Sequence, residues 1–269
     1  MSELPGAVFR NDTVRAGEFT LDYAEAGPPG APLTLVSLPG SAGLEMSVAK
    51  DRLAADYRVI EINPPGWGGK TDLDRPMPQA EVGELLAEAA TSLVDGAFVV
   101  IGTSMGGANA LYLAASVPDR VLGIVLEGSM APAAMEDVRV PAPTDRPGPP
   151  EDYPLPPVHP KKPWATHAYM REQMGHRMAM MRWVASDFAA ASAVAAVRER
   201  GIPVLALVGD QDAILAPSVG ETVKQALPQA EFHLVADGEH DLQGTVPDTF
   251  VQLVGDFVAG LGRPGPGEP

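Results

Sequence analysis

The sequence predicts an α/β protein built on a mostly parallel sheet, and three observations support that prediction. Short apolar runs alternate with longer segments of helical periodicity along the 269 residues. Apolar residues make up 45% of the chain, which is enough for a sizeable core. The stretch "IGTSMGGA" (101–108) places a serine between glycines where an apolar run passes into a helical segment. The length fits one large domain, or a core that carries an inserted subdomain.

The strands are predicted from short runs rich in valine, isoleucine and leucine. A first pair, in "VRAGEFTLDYAEAG" (14–27), is typical of an antiparallel hairpin. Six further strands are predicted at "LTLVSL" (33–38), "YRVIEI" (57–62), "AFVVIG" (97–102), "VLGIVLEG" (121–128), "PVLALVG" (203–209) and "EFHLV" (231–235). Together they make an eight-stranded sheet, mostly parallel because helical segments fill the intervals.

The helices flanking the sheet are predicted from apolar residues that recur at helical spacing. Residues 79–94 carry the clearest set: Val82, Leu85, Leu86, Ala89 and Leu93. A second helix, 217–227, opens with Pro217, which suits the first position of a helix, and a third closes the fold at 248–261. Residues 263–269 are rich in proline and glycine and are predicted to be a disordered tail.

One long interval lacks the strand pattern. It begins at Ala131 with the proline-rich "RVPAPTDRPGPPEDYPLPPVHPKKP", which excludes a regular helix or a central strand. Two helical patterns follow, at 165–184 and 185–198. A long excursion of this kind is typical of a functional insertion. We therefore predict a core of residues 1–130 and 200–262 and a helical cap of residues 131–199, with a partly disordered loop as the alternative.

Composition excludes several classes of function. The net charge of −16 argues against nucleic acid and anionic membranes as partners. The absence of cysteine excludes disulfides, zinc thiolates and a cysteine nucleophile. No apolar run approaches the length of a membrane span, and the first residues lack the pattern of a signal peptide. We expect a soluble, cytoplasmic protein whose partner is a small-molecule substrate.

The serine in "IGTSMGGA" is the strongest functional signal. Ser104 stands between Gly102 and Gly106 at a strand-to-helix turn, which is the G-x-S-x-G pattern of a nucleophile elbow. The turn is so tight that side chains beside the serine would clash, which explains the two glycines. It lifts the serine Oγ into the open at the carboxyl end of the sheet. The following helix aims its N-terminal amides at the same point.

A nucleophilic serine needs a general base and an acid that orients the base. The segment "PVLALVGDQDAI" ends one later strand and presents Asp210 and Asp212. The segment "EFHLVADGEHDL" ends the next and presents His240, whereas His233 lies inside the strand pattern. These groups would meet Ser104 at the carboxyl edge of one sheet, where open α/β folds bind their ligands.

These segments resemble the α/β-hydrolase superfamily over nearly the whole chain. The resemblance is carried by "SLPGSAG", "YRVIEINPPGWGGKT", "IGTSMGGANALYLAASVPDRVLGIVLEGS" and the stretch from "PVLALVGDQDAILAP" to "VPDTFVQLVGDFV". It implies the α/β-hydrolase fold with a helical cap inserted after strand 6. The family places the acid three residues past the glycine that ends its strand, which selects Asp212 over Asp210 as the partner of His240. Some relatives carry the acid at the position of Glu127 instead.

The resemblance also implies an oxyanion hole, built from the backbone amides of Met105 and Ser41. Two departures from the family pattern bear on the site. Relatives usually have His-Gly after the third strand, whereas this chain has Pro39 before its glycine, and the proline could reshape that loop. The residue before His240 is usually glycine, whereas here it is Glu239, which either changes the local charge or points to solvent.

The cap has an unusual composition, with five basic residues against one acid in residues 159–182. On a helix, four of its methionines fall on one stripe: Met170, Met174, Met178 and Met181. One interpretation is an apolar roof that binds substrate, with Trp183 and with Arg177 holding a carboxylate. In the other, the methionines pack the cap onto the core and Arg177 reaches solvent. The cap histidines lack partners at ligand spacing, so we predict no metal and no cofactor.

A serine nucleophile implies an acyl-enzyme, and hence esters, thioesters, amides, lactones or C–C bonds beside a carbonyl. We predict a serine hydrolase that cleaves a small-to-medium, largely apolar carboxylic ester or thioester. A C–C bond hydrolase or lyase with the same triad is the first alternative, because "SMGGA" resembles the hydrolases of aromatic-ring fission products. A ligand-binding receptor without turnover is the second. The sequence leaves the substrate and the oligomeric state open.

Overall fold

The computed structural model describes residues 4–28, 30–68, 73, 75–129, 131–132, 154–180, 184–185 and 189–261. Ten strands lie in these ranges: β1 (Arg10–Ala16), β2 (Phe19–Ala26), β3 (Thr34–Leu38), β4 (Arg58–Ile62), β5 (Met77–Pro78), β6 (Phe98–Thr103), β7 (Val121–Glu127), β8 (Val184–Ala185), β9 (Val204–Gly209) and β10 (Ala230–Val235). Eight of them form one sheet in the order β1-β2-β4-β3-β6-β7-β9-β10.

The pairing within this sheet confirms the predicted fold class. The strands β1 and β2 form an antiparallel hairpin, and β2 pairs antiparallel with β4. Every other neighbouring pair in the sheet is parallel. The first strand begins at Arg10, four residues before the predicted hairpin, because its exposed half, "RNDT", carries none of the apolar alternation used to predict strands.

The helices are α1 (Val48–Leu53), α2 (Gln79–Leu93), α3 (Gly106–Ser116), α4 (His167–Met180), α5 (Ala191–Glu199), α6 (Val219–Ala226), α7 (Leu242–Thr245) and α8 (Pro247–Gly260), with a short 3-10 turn at Pro118–Arg120. Helices α2, α3 and α5 pack on one side of the sheet, and α1, α7 and α8 pack together on the other. None of the helices in the described ranges combines the length and the hydropathy needed to cross a bilayer.

The two sides of the sheet have separate cores because neighbouring residues of a strand point in opposite directions. In β6, Phe98 and Val100 belong to the core under α2 and α3, whereas Val99 and Ile101 belong to the core under α1 and α8. All four side chains are buried. A strand buried on both faces has an almost continuous apolar sequence, which is why "AFVVI" is such a clear strand signal.

The interval between β7 and β9 contains α4, β8 and α5 in its described part. The expectation that it holds no strand is wrong at Val184–Ala185, which pairs in parallel with Met77–Pro78. Two residues are too few to produce a periodic pattern, so the pairing had no sequence signal. Helix α5 packs on α3 and starts at Ala191, six residues later than predicted. Residues 133–153, which include more than half of the proline-rich stretch, and the predicted tail lie outside the described residues.

Candidate active site

Ser104 occupies a strained turn between β6 and α3. Its backbone has a φ of 52°, in the left-handed region that non-glycine residues seldom adopt. A Cβ on Gly102 would lie 2.5 Å from the Gly106 carbonyl oxygen, and a Cβ on Gly106 would lie 2.3 Å from the Leu38 carbonyl oxygen. Neither site has room for a side chain. The Ser104 amide donates to the Glu127 carbonyl oxygen at 2.9 Å, which fixes the turn to the neighbouring strand.

His240 joins Ser104 to Asp212. Its Nε2 lies 2.9 Å from Ser104 Oγ, and its Nδ1 lies 2.9 Å from Asp212 Oδ2. The three residues follow β6, β9 and β10, whose parallel arrangement brings their carboxyl ends to one edge of the sheet. A glycine after β7 makes room for the imidazole, since a Cβ on Gly128 would lie 3.1 Å from His240 Nδ1.

The Asp212 carboxylate is buried and held on both oxygens. Its Oδ1 accepts from the Ile214 and Leu215 amides at 2.7 and 2.9 Å, which leaves Oδ2 for His240. Burial by itself would raise the pKa of Asp212, but the hydrogen bond and charge of His240, together with the two amides, lower the pKa below its usual value. Asp212 is therefore ionised. Asp210 is exposed two residues earlier, so the structure brings Asp212 rather than Asp210 to His240.

Glu127, the alternative acid, lies beneath the site and is fully buried. Its Oε2 accepts from Thr103 Oγ1 at 2.7 Å and from Gln243 Nε2 at 2.5 Å, while Oε1 accepts from the Gln243 amide at 2.9 Å. Burial raises the pKa of Glu127, and the charge of Asp241 adds to that shift. The carboxyl group links the strand end that precedes Ser104 to the turn that follows His240. This geometry gives it a structural position rather than a contact with the imidazole.

The loop after β3 closes against the serine. A Cβ on Gly40 would lie 3.5 Å from Ser104 Cβ, so this loop passes close to Ser104. Trp67 Nε1 donates to the Gly40 carbonyl oxygen at 2.9 Å and holds the loop in place. Ser41 and Met105 both line the cavity that contains Ser104. Their role as oxyanion donors stays a prediction. Their position beside Ser104 agrees with that role.

A cavity of about 800 Å³ opens over Ser104 and His240, and residues 155–177 form one side of it. Of the substrate-binding residues that the sequence predicts, the structure brings Met174 and Arg177 to the cavity wall. Met178 does not line the cavity, because it lies one helical turn further along α4. Trp183 falls outside the described residues.

The cavity wall also contains apolar residues that the sequence analysis missed. They come from the segment before α4 and from the loop after Asp212: Leu155, Pro156, Pro157, Trp164 and Ile214. Met170 of the predicted methionine stripe also lines the cavity. Trp164 stands in "KKPWATH", and a large aromatic residue next to prolines was the only available signal. Among the described residues, no cluster of three or more histidine, aspartate or glutamate side chains is arranged to hold a metal ion.

Charged residues form another part of the same wall. Lys50 Nζ lies 2.5 Å from Glu61 Oε2, and both side chains are almost completely buried. Lys162 Nζ of the cap lies 2.9 Å from Asp241 Oδ2, and Glu45 lines the cavity nearby. Sequence reasoning missed this group because its members lie on separate elements and no local pattern connects them. Glu61 even occupies a position in the middle of a predicted apolar strand.

A histidine–carboxylate contact and an ion pair connect residues 159 and 162 to the residues on either side of His240. His159 Nε2 lies 2.8 Å from Glu239 Oε1, and Lys162 pairs with Asp241 as described above. Burial alone would lower the pKa of Lys162, but the Asp241 carboxylate outweighs burial and the pKa is raised, so the ammonium stays charged. Glu239, the unusual neighbour of His240, thus has a partner in the cap.

Comparisons with known proteins agree with this architecture. A family model described as the alpha/beta hydrolase family matches residues 35–253. A pimeloyl-[acyl-carrier protein] methyl ester esterase of Neisseria meningitidis serogroup A is 26% identical over 240 residues, which cover 78% of this chain and 71% of that protein. A 2-hydroxy-6-oxononadienedioate/2-hydroxy-6-oxononatrienedioate hydrolase of Burkholderia vietnamiensis is 33% identical over 116 residues, which cover 41% of this chain and 40% of that protein.

Solved structures give the same fold. A serine hydrolase from Cycloclasticus zankles superimposes with a TM-score of 0.67 at 17% identity, covering 95% of this chain and 100% of that one. At this identity the likeness extends to the fold alone.

Replacing Lys162 by methionine is expected to loosen the cap from the turn that follows His240. The change removes the ion pair with Asp241, and because both side chains are partly exposed the free energy of unfolding should fall by only about 1 kcal/mol. Urea unfolding measures the loss, and hydrogen exchange of the amides of residues 241–245 should become faster. Lys161→Met is the control, since Lys161 is exposed and, among the described residues, its Nζ hydrogen-bonds only to the Asp237 carbonyl oxygen, at 3.3 Å. Equal effects of the two variants would contradict a role for the ion pair.

Proposed function

The chain belongs to the alpha/beta hydrolase family, and on that premise we propose that it is a serine hydrolase acting on a small-to-medium, largely apolar carboxylic ester or thioester through an acyl-enzyme. The observation that carries the proposal is the unbroken chain of contacts from Ser104 Oγ through His240 to the buried Asp212 carboxylate. A serine hydroxyl is a weak nucleophile until a base takes its proton, and this chain supplies the base and its orienting acid.

In the proposed reaction, Ser104 Oγ attacks the carbonyl carbon while His240 Nε2 takes its proton. Asp212 accepts the hydrogen bond from Nδ1, keeps Nε2 as the acceptor and stabilises the imidazolium that forms. The amides of Met105 and Ser41 hold the negative oxygen of the tetrahedral intermediate. His240 then gives its proton to the leaving alcohol or thiol. In the second half, His240 takes a proton from water, which attacks the acyl group and releases the acid and Ser104.

Size and chemistry of the cavity support the proposed substrate class. A volume of about 800 Å³ is in the usual range for small-molecule sites. Methionine, tryptophan, leucine and proline side chains line much of it and suit an apolar acyl or alcohol group. The Neisseria meningitidis relative is named for the hydrolysis of a methyl ester, which favours an ester as the bond cleaved.

Hydrolysis of a C–C bond beside a carbonyl is a second candidate, favoured by the partial match to the hydrolase of 2-hydroxy-6-oxononadienedioate. The same triad could serve it. That compound carries two carboxylates, whereas the cavity wall holds four acidic side chains: Glu45, Glu61, Glu239 and Asp241. Arg177 is exposed at the wall and is a cation that could receive one carboxylate. Ester hydrolysis fits the wall better.

The proposed nucleophile is tested by Ser104→Ala. Hydrolysis of short p-nitrophenyl esters should fall by at least ~10³-fold, as it does when the serine of other triads is removed. A serine-directed phosphonate should label the wild-type protein at Ser104, identified by peptide mass mapping, and should leave the variant unlabelled. Turnover that survives in the variant would exclude this mechanism. A wild-type protein that binds esters without cleaving them would instead favour a receptor.

The orienting acid is tested by a pair of isosteric substitutions two residues apart. Asp212→Asn should lower kcat by ~10³-fold or more, because an asparagine amide mispositions the imidazole proton. Asp210→Asn makes the same chemical change at an exposed position and should have a much milder effect. Steady-state kinetics on one activated ester measures both variants. The reverse ranking would reassign the acid to Asp210, and small effects at both positions would transfer it to Glu127.

The acyl-binding wall is tested by two methionines of α4. Met174→Ala enlarges the cavity by several methylene equivalents, and each methylene of substrate that fills such a space contributes about 1–3 kcal/mol of discrimination. The ratio of kcat/KM for long over short acyl esters should therefore rise about tenfold or more. Met178→Ala is the matched control, since Met178 lies on the same helix but does not line the cavity. An unchanged acyl ranking in both variants would mean that selectivity comes from another part of the wall.

A further inference from the structure

In the charged part of the cavity wall, the two lysines pair with two carboxylates, and a third carboxylate, that of Glu45, has no lysine partner among the described residues. Five elements bring charged or phenolic side chains into it: Lys50 from α1, Glu61 from β4, Asp241 from the turn before α7, Lys162 from the cap and Tyr169 from α4. Each lysine is committed to a carboxylate, Lys50 to Glu61 at 2.5 Å and Lys162 to Asp241 at 2.9 Å.

Glu45 is the carboxylate without a partner. Its backbone is fixed, because its amide donates to Glu61 Oε1 at 3.2 Å and its carbonyl oxygen accepts from Lys50 Nζ at 2.5 Å. Its carboxylate makes no hydrogen bond or ion pair with any residue that the structure describes, and it lines the cavity. Burial raises the pKa of Glu45 to about 7, the charge of Asp241 adds to this, and Lys50 and Lys162 only partly oppose it.

A half-buried carboxylate with unsatisfied oxygens carries a free-energy penalty that a donor from a ligand would remove. Tyr169 lines the same part of the wall. Burial and the charges of Glu45 and Asp241 raise the pKa of its hydroxyl, so Tyr169 is not a second anion that could bind a cationic ligand. A ligand carboxylate placed here would meet repulsion from Glu45 and Asp241, whereas a ligand ammonium or hydroxyl would meet an acceptor. The rest of the cavity is mostly apolar, so the ligand that fits is apolar with one polar end.

We propose that Glu45 selects substrates whose apolar chain ends in a hydrogen-bond donor, an ammonium or a hydroxyl group, which binds its carboxylate while the ester carbonyl lies at Ser104. This inference rests on the proposed function, because it assumes that Ser104 opens an ester in the same cavity. It adds an acidic specificity site to a cavity for which the sequence predicts apolar contacts and the cation of Arg177.

The experiment compares p-nitrophenyl esters of equal chain length that end in a methyl, a hydroxyl or an ammonium group, over a series of lengths. The wild-type protein should prefer a donor-ended ester to its methyl counterpart at one length. Glu45→Gln keeps the size and an acceptor oxygen but removes the charge. It should lower the ratio of kcat/KM for the ammonium over the methyl ester about 10- to 100-fold, and the hydroxyl ratio only a few-fold. A 10- to 100-fold fall in the ammonium-to-methyl ratio identifies an ammonium as the ligand. A wild-type preference for the hydroxyl ester that Glu45→Gln lowers only a few-fold identifies a hydroxyl.

Two further variants make the result specific. Glu172→Gln applies the same chemical change to an exposed residue of α4 outside the cavity wall, and it should leave both ratios as they are. Glu45→Asp keeps the charge but withdraws it by one methylene, so the preferred donor-ended ester should become longer. That variant also keeps the test open if Glu45→Gln does not fold.

The pH dependence of the ammonium-to-methyl ratio provides an independent readout. Both esters share the same reacting groups, so pH effects on the chemical step cancel in the ratio. Above its pKa of about 7 Glu45 is ionised and the preference for the ammonium ester should be full; as pH falls below that value Glu45 is protonated and the preference should disappear. The charged groups that face Glu45, namely Lys50, Glu61, Lys162 and Asp241, stay in place in Glu45→Gln, which should give a flat ratio.

The outcomes separate the two proposals. If the wild-type protein cleaves none of the esters and the phosphonate does not label Ser104, the proposed function fails. If the methyl ester is cleaved and Ser104 is labelled, but the ratios do not differ between the wild-type protein, Glu45→Gln and Glu172→Gln, the function stands and the specificity site is overturned.

Discussion

The left-handed backbone of Ser104 is the constraint on which the rest of the site depends. At this residue the chain turns from a buried strand into a helix within a few ångströms, and only glycine fits two residues before it and two residues after it. The turn has to be held against its own strain. Parallel pairing with β7 provides that support, since the Glu127 carbonyl oxygen accepts from the Ser104 amide. Ser104 is therefore anchored to a central strand of the sheet.

Glu127 extends that rigidity from the serine to the histidine. Its carboxyl group receives hydrogen bonds from Thr103 on one side and Gln243 on the other, and Gln243 Oε1 in turn accepts from Ser47 Oγ at 3.0 Å. The strand that precedes Ser104, the turn that follows His240 and the first helix are thus joined by one buried network. Such a network stabilises one arrangement of the groups when its members are satisfied. The contact between Ser104 and His240 follows from it.

Much of the fold and the reacting groups could be predicted because their signals are local. A strand followed by a glycine-flanked serine, or by an aspartate or a histidine, fixes those residues at one sheet edge whatever the rest of the chain does. Met174 and Met178 share a helical stripe, but only the packing of α4 decides that Met174 reaches the cavity. No local sequence pattern marks Glu45. Its raised pKa depends on burial and on charges such as that of Asp241, which lies about two hundred residues away in sequence.

The packing around glycines differs between the elbow and α4. The elbow has no room for an added side chain, whereas α4 has room for one. A Cβ on Gly107 would lie 1.8 Å from Ser129 Oγ, so even the second residue of α3 is closed to substitution. The cap segment over the cavity has no such restriction at Gly175, where a Cβ would meet no atom within 4 Å. The packing of α4 therefore leaves space for a new side chain, whereas the packing of the elbow leaves none. Residues 159 and 162 are tied more closely, because they contact Glu239 and Asp241 on either side of His240.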